Sequence, residues 1–410
     1  MEKVFAKALG VEDPWFIRQI TFDKEANRLD VDIDFKKGSR FPIEDGGKNY
    51  PVYDSEQKTW RHLNFFQYEC YLNVRTPRVR TDDNRTLLIL PPWAGRMYGF
   101  TMLFEAFLVK LCGSMPVSQA EKIVGVSDNK LWRLLDFYVY SAKLHDDCSH
   151  LEVVGMDETS VAKGHEYITL FVDMHERKTI HIADGKGHET VKDFTSYLEE
   201  HQAEPDQITS VSCDMSPAFI KGVQTFLPKA DITFDKFHIV KIINEGVDLV
   251  RREEAKTNPL LKKTRYIFLK NDENLTQKQR EKKQELQLSE LNLKSMEALR
   301  MRETFSQIYK AQDEETFSAL LDHWLSWVLN CDLEPMKKAA LTVQAHLTGI
   351  KNWIKSKINN GILEGLNSIV QAAKRKARGY GRKHFHTITF LLTGKLNLSR
   401  VNPLLPTRFG

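Results

Sequence analysis

The sequence predicts a multidomain α+β protein: a mixed β-sheet broken by a helical insertion, preceded by a helix-turn-helix and a small β-rich domain. Three observations predict it. A chain of 410 residues is too long for a single core. Hydrophobic periodicity changes from two to 3.6 near residue 98, and strands return after about residue 150. Charge is unevenly spread: residues 351–410 carry 12 Lys and Arg against one acid, Glu364, a local balance of +11 that leaves −7 for the first 350. That asymmetry points to a nucleic-acid partner, where the total of +4 alone would not.

Each element follows in order. Residues 1–85 read as a β-rich domain of short strands. Arg28–Phe35 alternates apolar and polar residues as a half-buried strand does, Tyr71–Arg75 repeats the pattern, and Asp45-Gly46-Gly47 supplies a turn between strands. Residues 86–150 are helical: Phe100–Val109, then a short helix Val117–Val124, a Gly125-Val126-Ser127 turn and a longer helix from Asp128. This spacing is that of a helix-turn-helix whose recognition helix opens with Asp128 and presents Lys130 and Arg133; two core helices of a bundle would have the same spacing.

Residues 151–250 read as strands 153–157, 167–174 and 179–183, a helix 189–201, strand 208–213, helix 217–227, strand 231–235 and a helix from Phe237. Three strands joined by tight turns, then alternating helix and strand, is the order of a ribonuclease-H-like sheet and not of a doubly wound nucleotide fold. Residues 251–355 lack a strand pattern and are rich in Lys, Glu, Gln and Leu, as a helical insertion would be. The catalytic fold resumes over 356–400, and 401–410 form a tail. Trp324 and Trp327, inside the insertion, either stack on a distorted base or pack in a core.

Composition narrows the class. With 41% hydrophobic and 28% charged residues, most of the chain can bury a core and is not disordered. No apolar run reaches the ~18 residues of a membrane span and the N-terminus lacks a signal-peptide core, so a cytoplasmic protein is expected. Cys70, Cys112, Cys148, Cys213 and Cys331 form no CxxC pair, which argues against a disulfide framework or a Cys-based zinc site. Asp184-Gly185-Lys186-Gly187-His188 matches neither phosphate-binding glycine motif, and HExxH and GxSxG are absent.

Three carboxylates carry the chemistry. Asp157 closes the run Val153–Met156, Asp214 closes Ile208–Cys213, and Glu364 opens a helix that leads into Lys374-Arg375-Lys376-Ala377-Arg378. Singly, each is explained as a turn former, a helix cap or dipole compensation. Jointly they are not, because the strand order makes 153–157 and 208–213 neighbours, and two strand-end acids with a helical third suit Mg²⁺. On the helix, Leu363, Leu366, Ile369, Val370, Ala373 and Ala377 form an apolar stripe, while Glu364, Asn367, Ser368, Gln371, Lys374, Arg375 and Arg378 face the other way. Glu158, Asp173, Asp184 and Asp235 compete for the metal role; Glu158 alternates away from Asp157. Asp235 and His238 read as structural, supporting or DNA-facing groups.

These motifs resemble one family. Gly155-Met156-Asp157-Glu158, Cys213-Asp214-Met215-Ser216, Phe234-Asp235-Lys236-Phe237-His238, and Asn360–Asn367 through Lys374–Tyr380 resemble the ISL-three family of bacterial insertion-sequence transposases. So do Pro51–Asp54 to Trp60–Leu63, Pro91-Pro92-Trp93-Ala94, and the helix pair ending in Leu131-Trp132-Arg133. The resemblance implies a DDE enzyme of ribonuclease-H type with Asp157, Asp214 and Glu364 as its triad. It also implies a zinc ribbon with paired cysteines around Phe41–Glu44 and Thr81–Asn84, where this chain has none.

The expected activity is DNA transposition in a bacterial nucleoid: strand cleavage at element ends and strand transfer into target DNA. Two Mg²⁺ ions, with Mn²⁺ as substitute, would sit on Asp157 (bridging), Asp214 and Glu364, one serving the attacking water and one the leaving 3′ oxygen. Lys374, Arg375, Lys376, Arg378, Arg382 and Lys383 would contact phosphates, and the 115–140 helix pair with the N-terminal domain would read the terminal inverted repeats. Holding two ends together implies a homodimer on DNA. Two other readings remain: a domesticated, non-catalytic DNA-binding protein, and a structure-specific nuclease on the same fold.

Overall fold

The computed structural model describes residues 2–43, 47–97, 99–162, 166–288, 293–358 and 361–410. By contact it divides into two compact units, 1–145 with 370–410, and 146–369.

The first unit opens with α1 (Glu2–Leu9) and six strands: β1 (Trp15–Asp23), β2 (Arg28–Phe35), β3 (Arg40–Pro42), β4 (Asn49–Arg61), β5 (Glu69–Arg80) and β6 (Thr86–Leu88). They form a sheet of order β1-β2-β5-β4-β3, with β6 also on β5. The alternation in β2 buries Leu29, Val31, Ile33 and Phe35 in a core shared with Leu72 and Val74 of β5. The strands are not all short. β4 has 13 residues and β5 has 12, running through Pro77, which faces Ser55 beside the register shift between Val52 and Asp54. A proline without an N–H is tolerated beside such an irregularity, so Thr76-Pro77 does not break the strand. The turn expected at Asp45-Gly46-Gly47 lies largely outside the described residues.

Three helices follow: α2 (Met102–Ser114), α3 (Val117–Val124) and α4 (Asp128–Lys143). The Thr101 hydroxyl caps α2 by accepting from the Phe104 N–H. Gly125 ends α3 with φ +67°, the left-handed conformation that closes a helix at lowest cost with glycine. Ala120, Leu131, Leu135 and Tyr138 are buried between the helices.

In the second unit come β7 (Val153–Ala162), β8 (Glu166–Asp173), β9 (Lys178–Asp184), α5 (Glu189–Glu200), β10 (Ser210–Cys213), α6 (Pro217–Phe226), β11 (Asp231–Phe234) and α7 (Lys236–Glu254). The sheet order is β11-β10-β7-β8-β9. β7, β8 and β9 pair antiparallel, while β10 is parallel to both β7 and β11. One expectation needs correction: Asp157 does not end its strand. β7 continues to Ala162 because Thr159 and Val161 keep the buried alternation going.

The insertion supplies α8 (Arg265–Leu269), α9 (Gln277–Leu288), α10 (Lys294–Ile308), α11 (Glu314–Leu329), α12 (Glu334–Ala345), α13 (Leu347–Lys351) and α14 (Trp353–Ser356), with no strand among its described residues. It shares one core with the sheet: Val154 and Phe234 belong to the same cluster as Leu299, Phe305 and Trp324. Asn352 donates its side-chain N–H to the Ile232 carbonyl at 2.9 Å, and a Cβ on Gly349 would meet the Phe234 ring at 2.5 Å. Trp324 is fully buried, donating its indole N–H to the Met301 carbonyl at 2.8 Å, and Trp327 packs on the same core. Core packing, not base stacking, accounts for Trp324.

The last two helices are α15 (Gly361–Ala377) and α16 (Arg382–Thr393). α15 crosses the boundary between the units at residue 370. The sequence reading keeps 356–400 with the catalytic part; by contact, 370–410 join the helix-turn-helix. There Trp132 of α4 stacks on His384 at 3.8 Å, and the Thr387 hydroxyl donates to Asp136 at 2.7 Å. Among the described residues no helix is long and apolar enough to cross a membrane.

Candidate active site

The register of three parallel strands lines up three aspartates. Ser212 of β10 stands opposite Gly155 of β7, and Cys213 opposite Phe234 of β11. Carrying the register two residues along β7 and one beyond β11 puts Asp214 level with Asp157 on one side and with Asp235 on the other. Level residues on parallel strands face the same side, with strands about 4.8 Å apart. The three carboxylates therefore form a row across β7, β10 and β11.

Local turns fix one oxygen of each. Asp157 Oδ1 accepts from the Glu158 N–H at 2.9 Å, Asp214 Oδ1 from Ser216 N–H at 2.9 Å, and Asp235 Oδ1 from Phe237 N–H at 2.8 Å. Asp235 is the N-cap of α7, whereas Asp214 is not a cap: its bond closes a turn onto Ser216, which is itself the N-cap of α6. The second Asp235 oxygen lies 3.8 Å from His238 Nε2. The second Asp157 oxygen accepts from the side-chain N–H of Asn367 on α15.

Burial pushes the Asp157 carboxyl up to about 6; the Glu158 N–H and His238 pull it down, and the Asp214 and Asp235 charges push it further up. A half-buried carboxylate beside two like charges is an arrangement that a cation relieves. Asn367 Oδ1 is also buried without a hydrogen-bond partner, as is the hydroxyl of Tyr309, whose proton is held more tightly by burial and by the Asp235 charge. Hard oxygen donors and unused buried acceptors fit a magnesium-type ion in chemical character.

Glu364 is exposed on the first turn of α15 and lines an open cleft of about 590 Å³ with Asp235, Lys236, Phe237, Trp353 and Lys357. The structure thus brings Asp157 and Asp214 together and places Glu364 beside Asp235. Among the described residues no group of three His, Cys, Asp or Glu side chains is close enough to hold an ion. Gly155 allows α15 to approach: a Cβ there would sit 2.5 Å from the Met174 sulfur and 2.9 Å from Leu363 Cδ2. Of the competing acids, Glu158 has Lys186 Nζ at 3.9 Å, and Asp173 is buried, accepting the N–H groups of His175 and Glu176 in a turn.

The basic candidates all belong to the first unit. Lys130 and Arg133 are exposed on α4, as are Arg375, Lys376, Arg378, Arg382 and Lys383 on and after α15. Lys374 is half-buried with its ammonium 5.8 Å from the centre of the Phe385 ring, and Lys383 pairs with Asp136 of α4 at 2.6 Å. Lys383 thus joins the cations on and after α15 to α4, which carries Lys130 and Arg133. Where zinc-binding cysteines would be expected, Lys48 of the β3–β4 hairpin pairs with Asp82 of the β5–β6 turn at 2.9 Å, and Tyr50 donates to the same carboxylate at 3.3 Å.

The sequence reading put Asp235 at the end of strand 231–235 and among the acids competing for the metal role, but did not pick out Asn367 or Gly155. Asn367 had only its position three residues after Glu364. Gly155 looked like one more small residue in an apolar run.

Comparison with known proteins agrees with this layout. A family model described as "Transposase" matches residues 154–389, and the "Helix-turn-helix domain of transposase family ISL3" matches residues 89–139. The chain is similar to the transposase for insertion sequence element IS1001 of Bordetella parapertussis, 25% identical over 344 residues, covering 82% of this chain and 84% of that one. It is also similar to the transposase for IS1557 of Mycobacterium tuberculosis, 25% identical over 386 residues, covering 86% and 84%.

Proposed function

This chain belongs to the ISL3 family of transposases, and on that premise we propose that it cuts DNA at the ends of an insertion sequence and joins them to target DNA on a ribonuclease-H-like sheet. The observation that carries the reading is the aspartate row. Asp157 and Asp214 are level on adjacent strands, and α15 brings Glu364 to the cleft beside Asp235.

Asp157, Asp214 and Glu364 would hold two Mg²⁺ ions, which supply Lewis-acid charge at the scissile phosphate. Asp157, at the β7 end of the row beside Asp214 and the Asn367 amide, would contribute to both ions. Backbone N–H bonds to one oxygen of Asp157 and of Asp214 hold both carboxylates in place, which would help orient a water, and later the freed 3′-OH, for attack. Glu364, exposed on a flexible side chain, closes the set from the helix. Lys130 and Arg133 read the inverted repeats, while Lys374, Arg375, Lys376, Arg378, Arg382 and Lys383 hold phosphates. Two copies of the chain hold the two ends.

The test is direct. Purified protein with Mg²⁺ should nick DNA bearing the element's end, and Asp157→Asn should not; cleavage that persists unchanged in that variant refutes the assignment. Lys374→Ala combined with Arg375→Ala should weaken binding equally for all sequences and lower the salt slope by about 2. A changed sequence preference instead would mean that these residues read bases.

A further inference from the structure

Asn367 has a role that the metal-binding residues leave unassigned. It lies three residues after Glu364 on α15, on the same side of the helix, and its amide N–H is donated to Asp157 Oδ2. One turn earlier, Leu363 packs into the space that Gly155, two residues before Asp157, leaves open. These two contacts join α15 to β7 around Asp157. The other end of the Asn367 amide, Oδ1, is buried and has no partner.

We propose that Asn367 is a positioning residue that links cation loading at Asp157 to the seating of the helix that carries Glu364. Its amide holds Asp157 and the first turns of α15 in one register, so Glu364 meets the aspartate row without a search. A cation drawing on Asp157 Oδ2 competes with the Asn367 N–H for that oxygen. The amide can answer by turning, because its unpartnered carbonyl oxygen then accepts from a water on the ion or ligates the ion itself. Such groups around metal ligands commonly change affinity by about 10- to 100-fold when removed.

This inference rests on the metal-site reading above, and its test separates the two. The full-length protein is compared with Asn367→Ala and with Asn367→Ser, which keeps a hydrogen-bond donor. Hydrogen exchange of the peptide spanning 361–369 is measured without divalent metal, and Mn²⁺ alone is titrated by electron paramagnetic resonance. The alanine variant should lose protection in this peptide by about tenfold or more and bind Mn²⁺ about tenfold more weakly. The serine variant should recover part of both, which also guards against an alanine variant that fails to fold. If wild type binds Mn²⁺ and the alanine variant matches it in both measurements, the positioning role is wrong while the metal site stands. If protection falls but Mn²⁺ affinity does not, the link between the two is wrong. If wild type binds no Mn²⁺, the metal site falls and the link with it.

Discussion

Each unit of this protein keeps a carboxylate away from water, and the two are treated in opposite ways. In the first unit Glu105 is fully buried, and it accepts from the Tyr138 hydroxyl at 2.7 Å and from the backbone N–H groups of Met97 at 2.7 Å and Arg96 at 3.0 Å. Burial raises its affinity for a proton, and these three donors oppose that. Tyr138 in turn accepts from Asn402 at 2.9 Å, so the carboxylate ties the C-terminal segment to α2 and α4. In the second unit Asp157 is less buried but has two like-charged neighbours and a supporting amide with an idle oxygen. Burial of an acid is therefore no sign of function by itself. The sign is what the surroundings leave unanswered: at Glu105 nothing, at Asp157 a positive charge.

The largest effect separates the two in activity. Asp157→Asn should reduce Mg²⁺-dependent cleavage by about 10³-fold or more, roughly 4 kcal/mol of barrier, while the metal-free protein melts at the same or a higher temperature because a repelled charge is gone. Glu105→Ala should do the reverse. It strands three donors in the helical core and should cost about 3–5 kcal/mol of stability, read by denaturant unfolding, with any activity loss following the folded fraction. An Asp157→Asn variant that unfolds like Glu105→Ala would erase the distinction.

The pH dependence sharpens it. The Asp157 proton is held up to about 6 against an ordinary 3.8, so the folded metal-free protein binds it more tightly than the unfolded chain does. The associated stability is present below about pH 4 and is lost as pH rises through about 6, amounting to about 3 kcal/mol over that window. Denaturation in chelator at pH 4 and 7 should show this contribution as a change in the stability difference between wild type and Asp157→Asn. In the proposed metal site a cation and the proton compete for this carboxylate, so Mn²⁺ affinity should fall as pH drops below 6.

What could be read in the sequence divides along the same line. The strands around Asp157 and Asp214 announced themselves because strand-like runs of four and six residues end in acids, and the helix-turn-helix because Gly125 punctuates it. β4 did not, because its outward face is polar and its inward residues are only half-buried until Trp60 and Arg61 at its end. The boundary at residue 370 left no trace, since the apolar stripe of α15 continues unbroken from one unit into the other. Asn367 was legible only as a polar position on a basic face. Its link to Asp157 spans 210 residues, a pairing that local pattern cannot carry.

Smaller again is the effect of closing the gap at Gly155. Gly155→Ala puts a methyl against Met174 and Leu363, so either the sulfur moves or α15 lifts from β7. Overpacking of this kind costs about 1–3 kcal/mol. If α15 lifts, cleavage should fall further than stability does; if only Met174 adapts, activity should follow stability, and Met174→Ala should restore both.

The smallest effect tests whether the first unit needs metal at all. Its sheet stands on an apolar core that includes Leu29, Val31, Ile33, Leu72 and Val74, and Arg78 of β5 pairs with Asp54 of β4 at 2.6 Å. The hairpin and the turn that would face each other across a zinc ion are joined by Lys48 and Asp82, both well exposed, and exposed pairs contribute little in salt. Asp82→Asn should therefore leave the melting temperature within about 1 °C of wild type, as expected when a screened pair is lost. Prolonged chelation should leave the melting of this unit unchanged while removing Mn²⁺ binding at Asp157. A drop in melting temperature on chelation, reversed by zinc, would mean that oxygen and nitrogen ligands have replaced the missing cysteines, and the contrast between a self-sufficient first unit and a cation-dependent second would fail.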